Sequence, residues 1–209
     1  MARVIQTPSF GGAPRRMTSI LGSGTYVVPD DISVIKVIVT GGGGGGGSHN
    51  TDDAQGGGGA GGTSIKIINV IPGTQYYCTI GGGGSASVGN TNGGGGTGGS
   101  SSFGSECSAT GGTGTPQWAI GGRGGVGSGG NLNLYGSDGH CGNIDGGGNE
   151  ESGGNGGDSY WNGAGTGGSA WGARRTARGW GCGGSGAHAG TTNDGTPGMQ
   201  GAVVIEEYQ

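Results

Sequence analysis

The sequence predicts a mainly irregular, all-β fold without α-helix. A small antiparallel β frame carries a bundle of polyglycine II helices, a polyglycine sandwich. Three observations predict it. Glycine supplies 64 of 209 residues, roughly four times the usual ~7%. The glycines come in tracts separated by short polar segments, with no fixed period. A few Val- and Ile-rich runs of strand length flank the tracts, and no helix start-and-stop pattern occurs.

The organising stretch is Val34–Gly47, VIKVIVTGGGGGGG, a strand-like run that opens into seven consecutive glycines. Each glycine loses much conformational entropy on folding and buries no side chain, so an isolated tract stays disordered. Polyglycine II geometry offers an offset. It has three residues per turn and no internal hydrogen bonds, so N–H and C=O groups point outward in three directions. Without Cβ atoms, neighbouring helices approach closely and bond laterally. At ~3.1 Å per residue, seven glycines span about 22 Å. Collagen is excluded by six prolines and the absence of a Gly-X-Y period.

Along the chain, residues 1–22 read as an arm and 23–209 as the glycine-rich domain. The arm, with Arg15-Arg16 and two prolines, lacks useful periodicity. It is either a tail packed along the domain or a segment that attaches to a larger assembly. Strands are expected at 25–28, 33–40, 63–70, 75–80 and 202–208. Pro72-Gly73 is the centre of a type II turn, expected to close a hairpin between the third and fourth strands. The last strand is expected to pair with Val34–Val39, bringing the chain ends together. With four Trp and two Phe, the conventional core is small.

The glycine tracts fill the rest: 56–62, 81–84, 93–99, 111–114, 121–130, 146–148, 153–157, 163–168 and 181–186. Their interruptions are small residues such as Ala60, Thr97 and Ser128. The connecting segments carry Asn, Asp, Ser and most of the tryptophan, as in DSYWN and SAWGARRTARGW. They belong at the ends of the bundle, where tracts reverse.

Composition removes several function classes. A net charge of −4 with only two lysines is the wrong balance for nucleic acid. No apolar run reaches the ~20 residues of a membrane helix, and Met1–Phe10 lacks the apolar core of a secretory signal. Assembly in a cytoplasm and free thiols at Cys78, Cys107, Cys141 and Cys182 are therefore expected. No paired CxxC marks a metal site. Asp52-Asp53 and Glu150-Glu151 read as solvated loop residues. His49, His140 and His188 have no orienting partner or nucleophile in sequence view, so neither an enzyme nor a cofactor is expected. No phosphate-binding loop is present. An ice-binding face needs long rows of regular Gly-x-x triplets, which these irregular tracts do not supply.

The motifs GTYVVPDDISVIKVIVTGGGGGGG, GGAGGTSIKI, GGSSSFGSECSATGG, GGRGGVGSGGNLNLYG and the closing GAVVIEEY resemble, in that order, the glycine-rich domain at the tips of phage and prophage tail fibres. The resemblance covers residues 22–209. The polyglycine II adhesins of T-even-like phages are more distantly similar. It implies a receptor-binding fibre tip in the virion, binding a bacterial polysaccharide or outer-membrane protein through the loops between tracts. Residues 1–22 would contact other tail-fibre or virion proteins, and a homotrimer would suit a fibre. A structural virion component without a receptor role is the alternative.

Candidate receptor contacts are Trp118, Tyr160, Trp161, Trp171, Arg174, Arg175, Arg178 and Trp180. Trp, Tyr and Arg dominate binding hot spots. A glycine bundle has no pocket for an indole, so such residues either cap the bundle or face a partner. Ser169–Trp180 combines two tryptophans and three arginines, suited to stacking on sugar rings or pairing with phosphate and carboxylate.

Overall fold

The computed structural model describes residues 12–48, 54–89, 93–116, 119–143, 152–168, 174–188 and 194–209. Among them there is no helix. The strands are β1 (Arg16–Ile20), β2 (Gly24–Val27), β3 (Val34–Thr40), β4 (Thr63–Asn69), β5 (Gln75–Thr79), β6 (Ser101–Phe103), β7 (Cys107–Ala109), β8 (Gly127–Ser128), β9 (Leu132–Leu134) and β10 (Ala202–Tyr208). They form two five-stranded sheets, ordered β1-β10-β3-β4-β9 and β2-β5-β6-β7-β8. Every pairing is antiparallel.

The sheets enclose one hydrophobic core. Alternation along β3 and β10 turns Ile35, Val37, Val39, Val203 and Ile205 inward, against Tyr26, Cys78, Phe103, Cys107 and Ala109 of the other sheet. Tyr76 stacks on Phe103 with ring centroids 4.6 Å apart. The same alternation carries Glu207 inward, 2% exposed. One of its oxygens accepts the Tyr26 hydroxyl at 3.0 Å and the other the Arg16 Nε–H at 2.6 Å. That carboxylate ties edge strand β1 to both sheets.

The expected pairing of the last strand with β3 is present, with Val203 opposite Val39 and Tyr208 opposite Val34. The expected hairpin is not. Strand β4 pairs with β3 and β9, and β5 pairs with β2 and β6. The Pro72-Gly73 turn is of the expected type, with Gly73 at φ +79° and the Thr74 N–H on the Ile71 carbonyl at 3.1 Å. Type II turns splay the flanking strands, whereas paired hairpins favour their mirror images. Here the splay carries the chain from one sheet to the other. Around it, Gly73 donates to Val28, and Val70 donates to Ser33. Of the arm, Arg16–Ile20 is edge strand β1, and residues 1–11 lie outside the described residues.

The tracts are polyglycine II helices in hexagonal array, and their hydrogen bonds establish it. Gly41, Gly44 and Gly47 donate to Gly62, Gly59 and Gly56. Gly42, Gly45 and Ser48 donate to Gly99, Gly96 and Gly93, while Gly43 and Gly46 donate to Met199 and Thr196. The partner thus changes with period three, at 2.8 to 3.3 Å, where a pleated strand would alternate with period two. The carbonyls follow the same period. Those of Gly42 and Gly45 accept from Gly112 and Thr115, Gly43 and Gly46 from Gly84 and Ser87, and Gly44 and Gly47 from Gly184 and Ala187.

Tract 41–48 therefore has six neighbours: 54–62, 81–88, 93–100, 110–116, 182–188 and 194–201. Tract 54–62 also has six: 41–48, 110–116, 119–126, 136–142, 152–158 and 182–188. The remaining eight close a ring around these two, in the order 81–88, 93–100, 110–116, 119–126, 136–142, 152–158, 182–188, 194–201. Two adjacent centres with eight surrounding sites are what hexagonal packing requires. Two further tracts, 163–168 and 174–178, lie outside this ring. Gly165 donates to Gly183, Gly156 to Gly165, and Thr166 and Arg175 bond each other reciprocally. The positive-φ glycines, Gly12, Gly73, Gly89, Gly104, Gly129, Gly163 and Gly181, lie in turns, in the arm or at tract ends. Tract interiors keep one hand.

N–H groups left over on tracts 119–126 and 163–168 are met by side chains of the ring, two pairs of them three residues apart. Thr110 and Thr113 Oγ1 accept from Val126 and Arg123 at 2.8 and 2.7 Å. Asp138 accepts from Gly124 at 2.7 Å, and Asn155 from Gly167 at 2.7 Å. Asp158 accepts from Gly163 and Ala164 at 3.1 and 2.9 Å. These short polar side chains satisfy backbone donors that would otherwise invite another chain, the bundle's equivalent of a guarded sheet edge.

Candidate functional site

The bundle has two unlike ends, set by how strands feed tracts. Strands β3, β5, β7 and β9 run directly into 41–48, 81–88, 110–116 and 136–142. Tracts 54–62, 93–100, 119–126 and 194–201 return into β4, β6, β8 and β10. One end is thus stitched to the sandwich. At the other, the chain leaves the described structure after 48, 89, 116, 143, 168 and 188 and re-enters at 54, 93, 119, 152, 174 and 194. All six interruptions open at the same end, opposite β1 and β10. This is the loop end.

The sheet end holds two internal turns, at 159–163 and 178–181, and the aromatic candidates Tyr160, Trp161 and Trp180 meet there. Trp161 packs edge-on against both Tyr160 and Trp180, with centroids 5.0 and 5.3 Å apart. Its Nε1–H donates to Thr40 Oγ1 at 3.0 Å, and Thr40 also bonds Thr63 Oγ1 across the strand pair. Ser159 Oγ donates to the Trp180 carbonyl at 2.6 Å. The Cys182 thiol lies in the same knot, on the Asn162 carbonyl at 3.1 Å, and burial raises its pKa. Thr40 and Ile38 share the face of β3 that turns away from the core, and both are buried, at 0% and 3% exposure. Trp161 reaches that face. Trp161 and Trp180 are half-buried and Tyr160 is exposed.

The arginines separate along their tract. Arg174 sits at the loop end. Its Nη2 lies 4.0 Å from Asp194 Oδ2, and its Nη1 is buried without a hydrogen-bond partner among the described residues. Gly168 brings its Cα close to both Arg174 and the buried His188. Arg175 is exposed within the bridge to Thr166, and Arg178 is exposed near the sheet end, where its N–H donates to Gly163. Trp118 and Trp171 lie outside the described residues, as do Asp52-Asp53 and Glu150-Glu151.

Ser169–Trp180 is thus not one cluster. At ~3.1 Å per residue, Arg174 lies about 12 Å along the bundle from Arg178, where the chain turns at the sheet end that holds Trp180. The signal that separates them is the glycine at the start of each flanking tract: Gly163 and Gly181 both take positive φ and place turns at the sheet end. Sequence reading also passed over the rim contacts of the loop end. There Ser48 and Ser87 hydroxyls bond at 2.8 Å, and Asp194 accepts the Gly89 N–H at 2.6 Å. Both tie neighbouring tract ends together just below the connections.

Among the described residues, no group of three or more His, Cys, Asp or Glu side chains is placed to hold a metal ion. All four cysteines are free thiols, with Cys141 exposed. No helix there is long and apolar enough to cross a membrane. A search of curated proteins returns no match. The sequence model of one family, the glycine-rich domain, matches residues 18–208. That span holds every tract and all of both sheets but the first two residues of β1, and this chain belongs to the glycine-rich domain family.

Proposed function

We propose that the protein is the adhesive tip of a phage tail fibre, binding a host-surface receptor through the connections at its loop end. The observation that supports this most is that all six connections outside the described residues join tracts at one end. A rigid shaft of backbone-packed helices then lifts one set of connecting segments away from the sandwich. Because the interior is main chain, the connections change length and composition without repacking a core. Arg174, partly exposed beside Asp194 at that end, and Trp118 and Trp171 in the connecting segments are the contacts this reading favours. Tyr160, Trp161, Arg178 and Trp180 stand at the opposite end. Arg175 lies between. The receptor is a surface polysaccharide or an outer-membrane protein, and residues 1–22 join the tip to the rest of the fibre, as one copy or three.

The test is adsorption. Purified protein should decorate host cells and block phage attachment. The joint replacement of Trp171, Arg174 and Arg175 by Ala should abolish both while leaving the fold intact. If the intact protein neither decorates cells nor competes with phage, the adhesin reading fails. If the triple variant leaves infection unchanged, the alternative of a structural virion protein gains.

A further inference from the structure

We infer a second ligand site on the flank of the bundle: a groove along tract 152–158 that takes a neutral saccharide. The groove encloses about 320 Å³, at the lower end of the ~300–1,000 Å³ typical of small-molecule sites. Its floor is Asn155–Asp158, one wall is formed by Ser137, Asp138 and His140, and the other by Asn162–Thr166. It occupies the lattice position that the next tract would fill. This inference is independent of what the loop end binds.

Hydrogen-bond accounting shows what the groove offers. Gly154 and Gly157 donate inward to Gln55 and Gly58, and Gly153 and Gly156 donate sideways to Gly168 and Gly165. The N–H groups of Asn155 and Asp158 face the third direction and meet no acceptor among the described residues. The Gly156 carbonyl between them meets no donor there. The two free donors stand three residues apart, about 9 Å at the tract's rise. Unpaired backbone groups are satisfied by water or by a ligand. Around them, one oxygen each of Asp138, Asp158 and Asn155 is fixed by a neighbouring tract's N–H. Each side chain therefore presents its other polar atom in a set direction.

The chemistry narrows the ligand. Two carboxylates disfavour an anion. Ala164 is the one aliphatic side chain in the lining, so a peptide's apolar side chains would gain little. Closely alternating donors and acceptors with fixed directions suit hydroxyl groups, which both donate and accept. A mono- or disaccharide matches the volume and the polarity.

The experiment is a titration of the ¹⁵N-labelled full chain with lactose, maltose and N,N′-diacetylchitobiose, read at backbone amides. At least one should move Asn155, Gly156 and Asp158 saturably, in the millimolar range expected of a small polar ligand. Thr166→Trp, which fills the groove from one wall, should abolish the shifts, and His140→Trp does the same from the other should the first variant not fold. The inference is overturned if none of the three sugars moves these amides, if the shifts survive both blocked grooves, or if calcium alone produces them. Adsorption to host cells should be unchanged in the blocked variants, so that loss at the groove and loss at the loop end are read separately.

Discussion

The Cα of Gly43 lies against the carbonyl of Cys182, so close that a Cβ on Gly43 would collide with that oxygen and its carbon. Gly95 stands in the same relation to the Gly45 carbonyl. The obstacle in both cases is backbone held by lateral hydrogen bonds, which cannot rotate aside as a side chain would. Overpacking of an ordinary core costs about 1–3 kcal/mol, and these sites should reach or exceed the upper figure. Gly43→Val and Gly95→Val should each give insoluble protein or a large drop in Tm. Gly82 is the control: nothing lies within 4 Å of its Cβ position and its φ is not left-handed. Gly82→Ala should be neutral or gain about 0.4–1 kcal/mol through the unfolded chain. Thermal melts of the three variants check this, and equal behaviour at Gly43 and Gly82 would contradict close packing.

Trp161 carries a separable prediction. Its indole N–H holds Thr40 at the junction of sheet and bundle, and its ring packs between Tyr160 and Trp180. Trp161→Phe should lose about 1 kcal/mol, the net worth of one hydrogen bond. Trp161→Ala should lose about 2–4 kcal/mol, near the range for truncating a large aromatic. Host-cell binding per folded molecule should persist in both. Loss of binding with an unchanged Tm would make Trp161 a receptor contact instead.

Much of this fold is legible because glycine has so few options. Seven consecutive glycines after Val34–Thr40 have no side chain to bury, so lateral backbone bonding is their route to order, and the period-three pattern follows. The pairing of Ala202–Tyr208 with β3 is likewise carried by Val and Ile alternation. What cannot be read is which tract neighbours which. Side chains ordinarily encode partners, and Gly44 and Gly58 carry none. Neighbours are instead set by strand order and by caps such as Thr113 and Asp138, whose capping role no sequence pattern marks. Strands β6 and β7 are three residues each, too short for alternation to register. Arg16–Ile20, RMTSI, carries little apolar alternation, and it becomes a strand because β10 offers it an edge and Glu207 an anchor. The site suffers from the same cause: sequence proximity joined Arg174 to Trp180, while an extended helix sends them to opposite ends.

The buried Glu207 makes Tyr26 a sensitive position. Its hydroxyl is the donor to one carboxylate oxygen, and burial, followed by the neighbouring carboxylate, raises its pKa well above the ordinary value. Tyr26→Phe keeps the ring against Phe103 but leaves that oxygen without its donor, at a cost of about 1–3 kcal/mol. Urea unfolding should show the loss with an unchanged m-value. A variant as stable as the parent would mean that water replaces the hydroxyl.

The thiols give a prediction in pH. Burial pushes Cys78 and Cys107 up to about 11 from 9.0. A group with a raised folded pKa holds its proton more tightly in the native state. Its contribution is therefore complete below pH 9.0 and is lost as pH climbs to about 11. Tm should be flat from neutral pH to about 9 and fall across that window, more steeply than in a Cys78→Ala, Cys107→Ala variant, where the thiol contribution is absent. Native protein at neutral pH should react with one equivalent of a maleimide at exposed Cys141. Cys78, Cys107 and Cys182 should become reactive only with unfolding, because burial suppresses the thiolate that attacks. Labelling of Cys78 under native conditions, at a rate independent of denaturant, would mean that the two sheets part far more readily than their shared core implies.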